Sequence, residues 1–148
     1  MDKGVTKAAL VWSGKLSTGV PALDQQHQAI FRCLSELEKA VGDKTMLSTI
    51  HAMEQLRSYT HEHFAEEERL MALVGYPDID THIVAHRDFR RRLFELRRTY
   101  LDHDISAELI LMLRDWLARH IAGTDMEYVP YLAAIPRISA RAGSCQYA

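Results

Sequence analysis

One run of apolar and histidine side chains, spaced alternately four and three residues apart, constrains the fold of this chain more than any other feature. It comprises His82, His86, Phe89, Leu93, Leu96 and Tyr100. This spacing predicts an α-helix whose seam packs lengthwise against other helices, because residues three and four apart share one helix face. Two histidines interrupt the apolar seam, and burying an imidazole costs free energy unless its nitrogens find partners. The seam therefore predicts a helical bundle with polar partners inside it.

Four helical segments are predicted, each delimited by residues that break helices. Pro21 suits the first turn of the first segment, and Gly42 follows its end. Gly75 and Pro77 end the second segment. The predicted ranges are about 21–41, 44–73, 79–101 and, starting at Asp104 or Ser106, to 122, with a further short helix at about 125–134.

The short links between these segments predict the architecture. Short links favour antiparallel neighbours, so we expect an all-α, up-down-up-down four-helix bundle over about 21–122. An N-terminal arm at 1–20, which Trp12 anchors, precedes it, and the short helix and a tail at 135–148 follow it. We expect all 148 residues to form a single domain.

Composition and charge narrow the classes of function. The formal net charge of −2 favours neither nucleic-acid binding nor a polybasic membrane contact. No apolar run approaches the roughly 20 residues of a membrane span, and no signal peptide is predicted. Cys33 occupies an apolar helix position and is interpreted as buried, whereas Cys145 lies in the tail and is expected to be exposed. We therefore expect a cytoplasmic protein without membrane insertion.

Six arginines cluster in the third predicted helix. They are Arg87, Arg90, Arg91, Arg92, Arg97 and Arg98. Because the same segment carries the apolar seam, we interpret them as a solvated helix face, with a docking surface as the alternative.

Seven side chains are candidate metal ligands. They are His27, His63, Glu67, His82, His86, His120 and Asp125. Residues four apart lie one helical turn from each other, so His82 and His86 can reach one metal ion. The same holds for His63 and Glu67. His27 lies on the inward stripe of the first helix and His120 on that of the fourth. A hydrogen-bonded core histidine would explain any one of them, but five aimed at one core favour a metal centre.

Asp125 joins this set on one condition. It follows His120 by five residues, which on a continuous α-helix is about 140° away from the same face. Gly123 lies between them and predicts that the helix ends there, which would let Asp125 reach the centre. The remaining histidines and the carboxylates beside Glu67 are expected to face solvent: His51, His61, His103, Glu66 and Glu68.

The donor count predicts a pair of octahedral metal ions with one open position. Five imidazole nitrogens, two bridging carboxylates and one oxo or hydroxo bridge fill all but one of the twelve positions around two such ions. Sites rich in nitrogen and carboxylate donors suit iron or manganese better than structural zinc. The imidazole-rich donor set favours holding oxygen over the oxidative chemistry of carboxylate-rich sites.

The order and spacing of four motifs resemble those of the bacterial hemerythrins (bacteriohemerythrins) over about residues 11–132. The motifs are DQQH at 24–27, HFAEEERLM at 63–71, HIVAH at 82–86 and WLARHI at 116–121, which leads to Asp125. The resemblance implies a non-haem di-iron centre, that is, two iron ions with an oxo or hydroxo bridge, inside a four-helix bundle.

The resemblance also implies a role for each candidate residue. The ligands of one iron are His82, His86 and His120. The ligands of the other iron, which keeps the open position, are His27 and His63. The bridging carboxylates are Glu67 and Asp125. The apolar residues that line the oxygen pocket are Phe64, Trp116, Leu117 and Ile121.

The function implied by the resemblance is reversible dioxygen binding by an oxygen carrier or store, not an enzyme. One alternative is an oxygen or redox sensor module that reports to an unknown protein acceptor. Another is a di-iron oxidase or an iron- or nitric-oxide-handling protein. The lack of a general acid or base near the open position, apart from the ligands, counts against an enzyme.

Overall fold

Five α-helices and one π-helical segment make up most of the part of the chain that the computed structural model describes, which is residues 10–40 and 46–133. The elements are a 3₁₀ turn (Gly14–Leu16), α1 (Pro21–Ala40), α2 (Met46–Val74), α3 (Ile79–Thr99), α4 (Ser106–Trp116), the π-helical segment (Leu117–Thr124) and α5 (Asp125–Leu132). The predicted arm residues 1–9, the predicted helix ends between α1 and α2, and the tail with Cys145 lie outside the described residues.

The four long helices close into a bundle. Helix α1 packs against α2 and α4, and α3 packs against the same two helices, while α5 lies against α2. The predicted all-α, up-down-up-down four-helix bundle with a short C-terminal helix is confirmed. Among the described residues, no helix has the length and apolar character needed to cross a membrane.

Two apolar clusters fill the interior and leave a polar layer between them. On α1, Ile30 belongs to the larger cluster and Leu23 to the smaller one, and on α2 the corresponding residues are Phe64 and Leu70. His27 lies between the first pair in sequence. Because a helix advances about 1.5 Å per residue, His27 on α1 and Glu67 on α2 lie at the level between the clusters.

The N-terminal arm is held against the bundle at two points. Trp12 packs against the larger apolar cluster, as predicted for the anchor of the arm. The Asp24 carboxylate then accepts hydrogen bonds from the Ser17 hydroxyl (2.6 Å) and from the Thr18 amide (2.8 Å). Gly19 has a φ of 80°, which a glycine adopts without strain. These contacts fix the start of α1, one turn before His27.

The prediction that the fourth helix breaks at Gly123 is wrong. The chain passes from α4 through the π-helical segment into α5 without interruption, and Gly123 does not have a positive φ. The Asp125 amide donates to the carbonyl oxygen of His120, five residues earlier. A π-helix joins residues five apart by hydrogen bonds, so these two residues lie one turn from each other. The wider turn therefore brings together the side chains for which a break had been expected.

The ends of two other helices follow the sequence closely. Gly75, with a φ of 67°, ends α2, and the Tyr76 amide donates to the Met71 carbonyl oxygen (2.9 Å) across the turn. Helix α4 begins at Ser106, one of the two predicted starts, and the Ser106 amide donates to the Asp104 carboxylate (2.9 Å). The N-cap residue is Ile105, so neither Asp104 nor Ser106 caps the helix as predicted.

Candidate metal centre

All seven candidate ligands are buried and meet in the polar layer between the two apolar clusters. Their exposed fractions range from 0% to 4%. By element, they are His27 on α1, His63 and Glu67 on α2, His82 and His86 on α3, His120 in the π-helical segment and Asp125 at the start of α5. Helices α1, α2, α3 and α5 and the π-helical segment after α4 thus all contribute to one buried cluster.

Three histidines gather around one oxygen of each carboxylate. The Nε2 atoms of His82 and His86 lie 3.3 Å and 3.0 Å from Glu67 Oε2. The Nε2 atoms of His82 and His120 lie 3.1 Å and 2.9 Å from Asp125 Oδ1. We call His82, His86 and His120 the three-histidine group.

Two further histidines face the other oxygen of each carboxylate. His27 Nε2 and His63 Nε2 lie 3.5 Å and 3.1 Å from Glu67 Oε1, and His27 Nε2 lies 3.1 Å from Asp125 Oδ2. We call this pair the two-histidine group. In each group, histidine nitrogens and carboxylate oxygens lie within 4.8 Å of one another, close enough to hold a metal ion. Glu67 and Asp125 span both groups.

Many of the converging atoms lack hydrogen-bond partners among the described residues. They are Nε2 of His27, His63, His86 and His120 and both carboxylate oxygens of Asp125. Leaving a buried carboxylate and several buried imidazoles without partners costs free energy. Metal ions between the groups would supply those partners, so the donor set fits a pair of cations.

Two polar side chains orient the histidines from behind. The Nδ1 atom of His63 lies 2.8 Å from Gln26 Oε1, and that of His86 lies 2.9 Å from Glu68 Oε1. A proton on Nδ1 can be donated to these oxygens, which leaves the lone pair of Nε2 free for a metal. The prediction that Glu68 faces solvent is therefore wrong, because its side chain is only 27% exposed and contacts His86.

Tyr128 also contacts the site, although it is not among the residues predicted from the sequence. Its hydroxyl donates a hydrogen bond to Glu67 Oε1 (2.7 Å), and the residue is 1% exposed. It follows Asp125 by three residues on α5, so it lies on nearly the same helix face. That spacing was the one signal in the sequence that could have identified it.

The four residues predicted to line an oxygen pocket are all buried in the larger apolar cluster: Phe64, Trp116, Leu117 and Ile121. The Phe64 ring stacks on His86 at 3.9 Å between centroids, and the Trp116 ring stacks on His120 at 3.8 Å. Phe64 also lies 6.0 Å from the His63 ring. The aromatic rings therefore pack most closely on the three-histidine group, and Phe64 contacts both groups.

The charges of the cluster shift the pKa values of its members. Burial acts to lower the pKa of His27 and His82, but Asp125 and Glu67 raise both to about 9. Burial acts to raise the pKa of Asp125, yet the close approach of His120, His27 and His82 lowers it to about 2. The pKa of His120 is lowered because burial outweighs its contact with Asp125. These shifts arise because two buried carboxylates lie close to the histidines in the metal-free site.

The other histidines and Cys33 lie where the sequence predicts. His51, His61 and His103 are exposed, and His103 pairs with Glu108 at 3.3 Å. Cys33 is 2% exposed in the larger apolar cluster. None of these side chains belongs to the candidate metal centre.

The sequence of the chain is similar to those of known proteins. A family model described as "Hemerythrin HHE cation binding domain" matches residues 18–132. The chain is 38% identical over 128 residues to the Bacteriohemerythrin of Stenotrophomonas maltophilia (strain R551-3), covering 86% of this chain and 84% of that protein. It is 37% identical to the Bacteriohemerythrin of Pseudomonas aeruginosa (strain LESB58), covering 82% and 80%. It is 30% identical to the Myohemerythrin of Theromyzon tessulatum, covering 79% and 88%.

Proposed function

The chain belongs to the hemerythrin family, whose domain holds a di-iron centre, and we propose that it uses this centre to bind dioxygen reversibly as an oxygen carrier or store. The ligands in this proposal are the three-histidine group for one iron and the two-histidine group for the other. Glu67 and Asp125 would each give one oxygen to each iron, because each directs one oxygen toward each group.

The unequal division of the histidines is the observation that carries this proposal. Five residues surround one metal position and four surround the other. The three-histidine group would therefore hold an iron with five protein residues, and the two-histidine group would hold one with four. Iron in sites of this kind favours six donors, so the two-histidine group would leave more room for a small exogenous molecule without loss of a protein ligand.

The surrounding side chains favour reversible binding by keeping water away. Phe64, Leu117 and Ile121 are each 0% exposed and Trp116 is 8% exposed. We propose that these residues line the oxygen pocket. When bound, the iron pair supplies two electrons and an open coordination position for dioxygen. The apolar wall limits access of water and anions, which would otherwise displace the bound molecule or promote irreversible oxidation.

Gln26 and Glu68 give this proposal a further structural basis. Each accepts a hydrogen bond from the outer nitrogen of one histidine, one in each group. Such contacts orient an imidazole and increase its strength as a ligand. Both groups are therefore prepared to hold a metal by one oriented histidine and by the shared carboxylates.

The test is a cycle of absorption spectra on iron-loaded protein reduced without air. The parent protein should be colourless, become coloured in air and bleach again under vacuum through several cycles. His63→Ala removes one nitrogen from the two-histidine group and should abolish the reversible cycle. His61→Ala, two residues away and exposed, is the matched control and should behave as the parent. Irreversible oxidation by the parent with turnover of an added reductant would contradict the carrier function and indicate an oxidase.

A further inference from the structure

A surface groove of about 410 Å³ lies between α2 and α3 and contains none of the candidate metal ligands. Its apolar part includes Met53 and Leu93, which are 1% and 4% exposed and belong to the larger apolar cluster. Phe94 also lines the groove and is 58% exposed. The groove therefore offers apolar contacts to a molecule of moderate size, since ligand sites commonly have volumes of about 300–1,000 Å³.

The charged residues of the groove are predominantly positive. Four arginines and one glutamate line it, although the whole chain has a net charge of −2. The glutamate, Glu54, is shared between two of the arginines: its Oε2 lies 3.0 Å from Arg57 and its Oε1 lies 3.1 Å from Arg97. A carboxylate thus already lies between two guanidinium groups here, and each arginine contacts one of its oxygens through Nε. A concave surface with excess positive charge concentrates anions.

Arg90 and Arg91 differ in how their charges are balanced. Arg91 pairs with Asp88 (2.5 Å) and Glu95 (3.0 Å), neither of which lines the groove. Arg90 has no carboxylate within ion-pair distance among residues 10–40 and 46–133. Its guanidinium carbon instead lies 5.1 Å from the centre of the Phe64 ring.

The contact with Phe64 prepares Arg90 to bind an anion. A guanidinium over an aromatic ring is held by a cation–π attraction, while its N–H donors remain available to an acceptor. Holding the side chain in place beforehand lowers the entropy that a ligand must offset when it binds. Arg90 is therefore a positioned donor at the groove whose charge no described carboxylate balances.

We propose that this groove binds a small organic anion, with Arg90 as the principal contact for its charged group. The charged group is a carboxylate or phosphate, which matches the bidentate geometry of arginine. The ligand also carries an apolar body, which packs against Met53, Leu93 and Phe94. Such a group occurs on free metabolites and on lipid headgroups, and the limited volume of the groove, about 410 Å³, favours the free molecule.

The test is a calorimetric titration of the full-length protein with 1-naphthyl phosphate, which combines a phosphate with an apolar body. The parent should bind one molecule per chain with a Kd below about 1 mM. Arg90→Gln should weaken binding about tenfold or more, because a charge-assisted hydrogen bond is lost. Arg92→Gln, an exposed arginine of the same helix that does not line the groove, is the matched control and should leave the Kd within about twofold of the parent.

Two further measurements show which part of the ligand the groove recognises and whether it prefers a free molecule to a membrane surface. Phe94→Ala should weaken binding of 1-naphthyl phosphate and leave the binding of inorganic phosphate unchanged, because only the former has an apolar body. The absence of saturable binding at millimolar concentration, or equal weakening by Arg90→Gln and Arg92→Gln, would overturn the proposal. Binding to phosphatidylglycerol vesicles without binding to 1-naphthyl phosphate would also overturn it in favour of a membrane surface. None of these measurements involves dioxygen, so the outcome is independent of the proposed oxygen function.

Discussion

The hydrogen bond from Tyr128 to Glu67 offers a sharp test of how the polar layer is stabilised. The donor hydroxyl lies 2.7 Å from a carboxylate oxygen that is fully buried. Burial together with the charges of Glu67 and Asp125 raises the pKa of Tyr128 well above its usual value, so the hydroxyl remains a donor at all ordinary pH values. Tyr128→Phe keeps the ring and its packing and removes only this donor.

The size of the expected loss of stability follows from the charge of the acceptor, the Glu67 carboxylate. Hydrogen bonds to charged groups contribute roughly 1.5–3 kcal/mol to stability. A buried carboxylate that loses such a bond has no access to solvent water that could replace the donor. We expect Tyr128→Phe to lower the free energy of unfolding of the metal-free protein by that amount. In a domain of this size the Tm should fall by roughly 3–12 °C. Urea denaturation followed by circular dichroism measures the loss, with an unchanged dependence on denaturant concentration.

A chemically identical substitution on the same helix provides the control. Tyr131 is 42% exposed and lies three residues after Tyr128. Tyr131→Phe should change the free energy of unfolding by no more than about 0.5 kcal/mol. If the free energy of unfolding falls by the same amount in both variants, the hydrogen bond to Glu67 does not stabilise the fold and the reasoning is refuted.

Three further predictions concern the metal centre. His82→Ala should reduce bound iron below two ions per chain and destabilise the fold, whereas His61→Ala should leave both unchanged; iron analysis and thermal unfolding decide this. Glu68→Ala should weaken iron binding about 10–100-fold, because His86 loses the partner of its outer nitrogen, and an unchanged affinity in chelator competition would count against that role. The pKa values of His27 and His82 are raised from 6.5 to about 9, so their pairing stabilises the metal-free fold fully below pH 6.5 and is lost as the pH rises through 9. The free energy of unfolding of the metal-free protein should therefore fall between pH 6.5 and 9, and a constant or rising value would disprove this linkage.

The sequence predicted the bundle well because its signals are local. The seam of α3 places His82 and His86 among apolar residues, and both are buried as that spacing requires. Gly75 ends α2 because its positive φ is costly for other residues. Each of these signals depends on residues within a few turns of one another, which is the range over which periodicity and capping act.

The structure brings Asp125 into the buried cluster, but not through the break that the sequence indicated. The α-helical repeat excludes residues five apart from one face, so a break at Gly123 was the only local solution considered. In the structure the turn is instead widened to a π-helix, which places Asp125 one turn after His120 without ending the helix. A π-helical turn has no distinct pattern of apolar residues, so the sequence did not indicate it.

The outer contacts of the site could not be read from spacing alone. Glu68 reaches His86 across the interface between α2 and α3, and Tyr128 reaches Glu67 from α5. Both contacts depend on how the helices pack against each other, and the spacing of Tyr128 from Asp125 indicates only the face of α5 on which it lies. The two-group division of the histidines also depends on the direction of each carboxylate oxygen, which the donor count left undetermined.

The most direct test of the central claim is a crystal structure of the iron-loaded protein with anomalous diffraction measured at the iron absorption edge. We expect two iron positions per chain. One should be bound by His82, His86 and His120 and the other by His27 and His63, with an oxygen of Glu67 and of Asp125 on each. A single iron position, or two positions without these bridging carboxylates, would contradict the account.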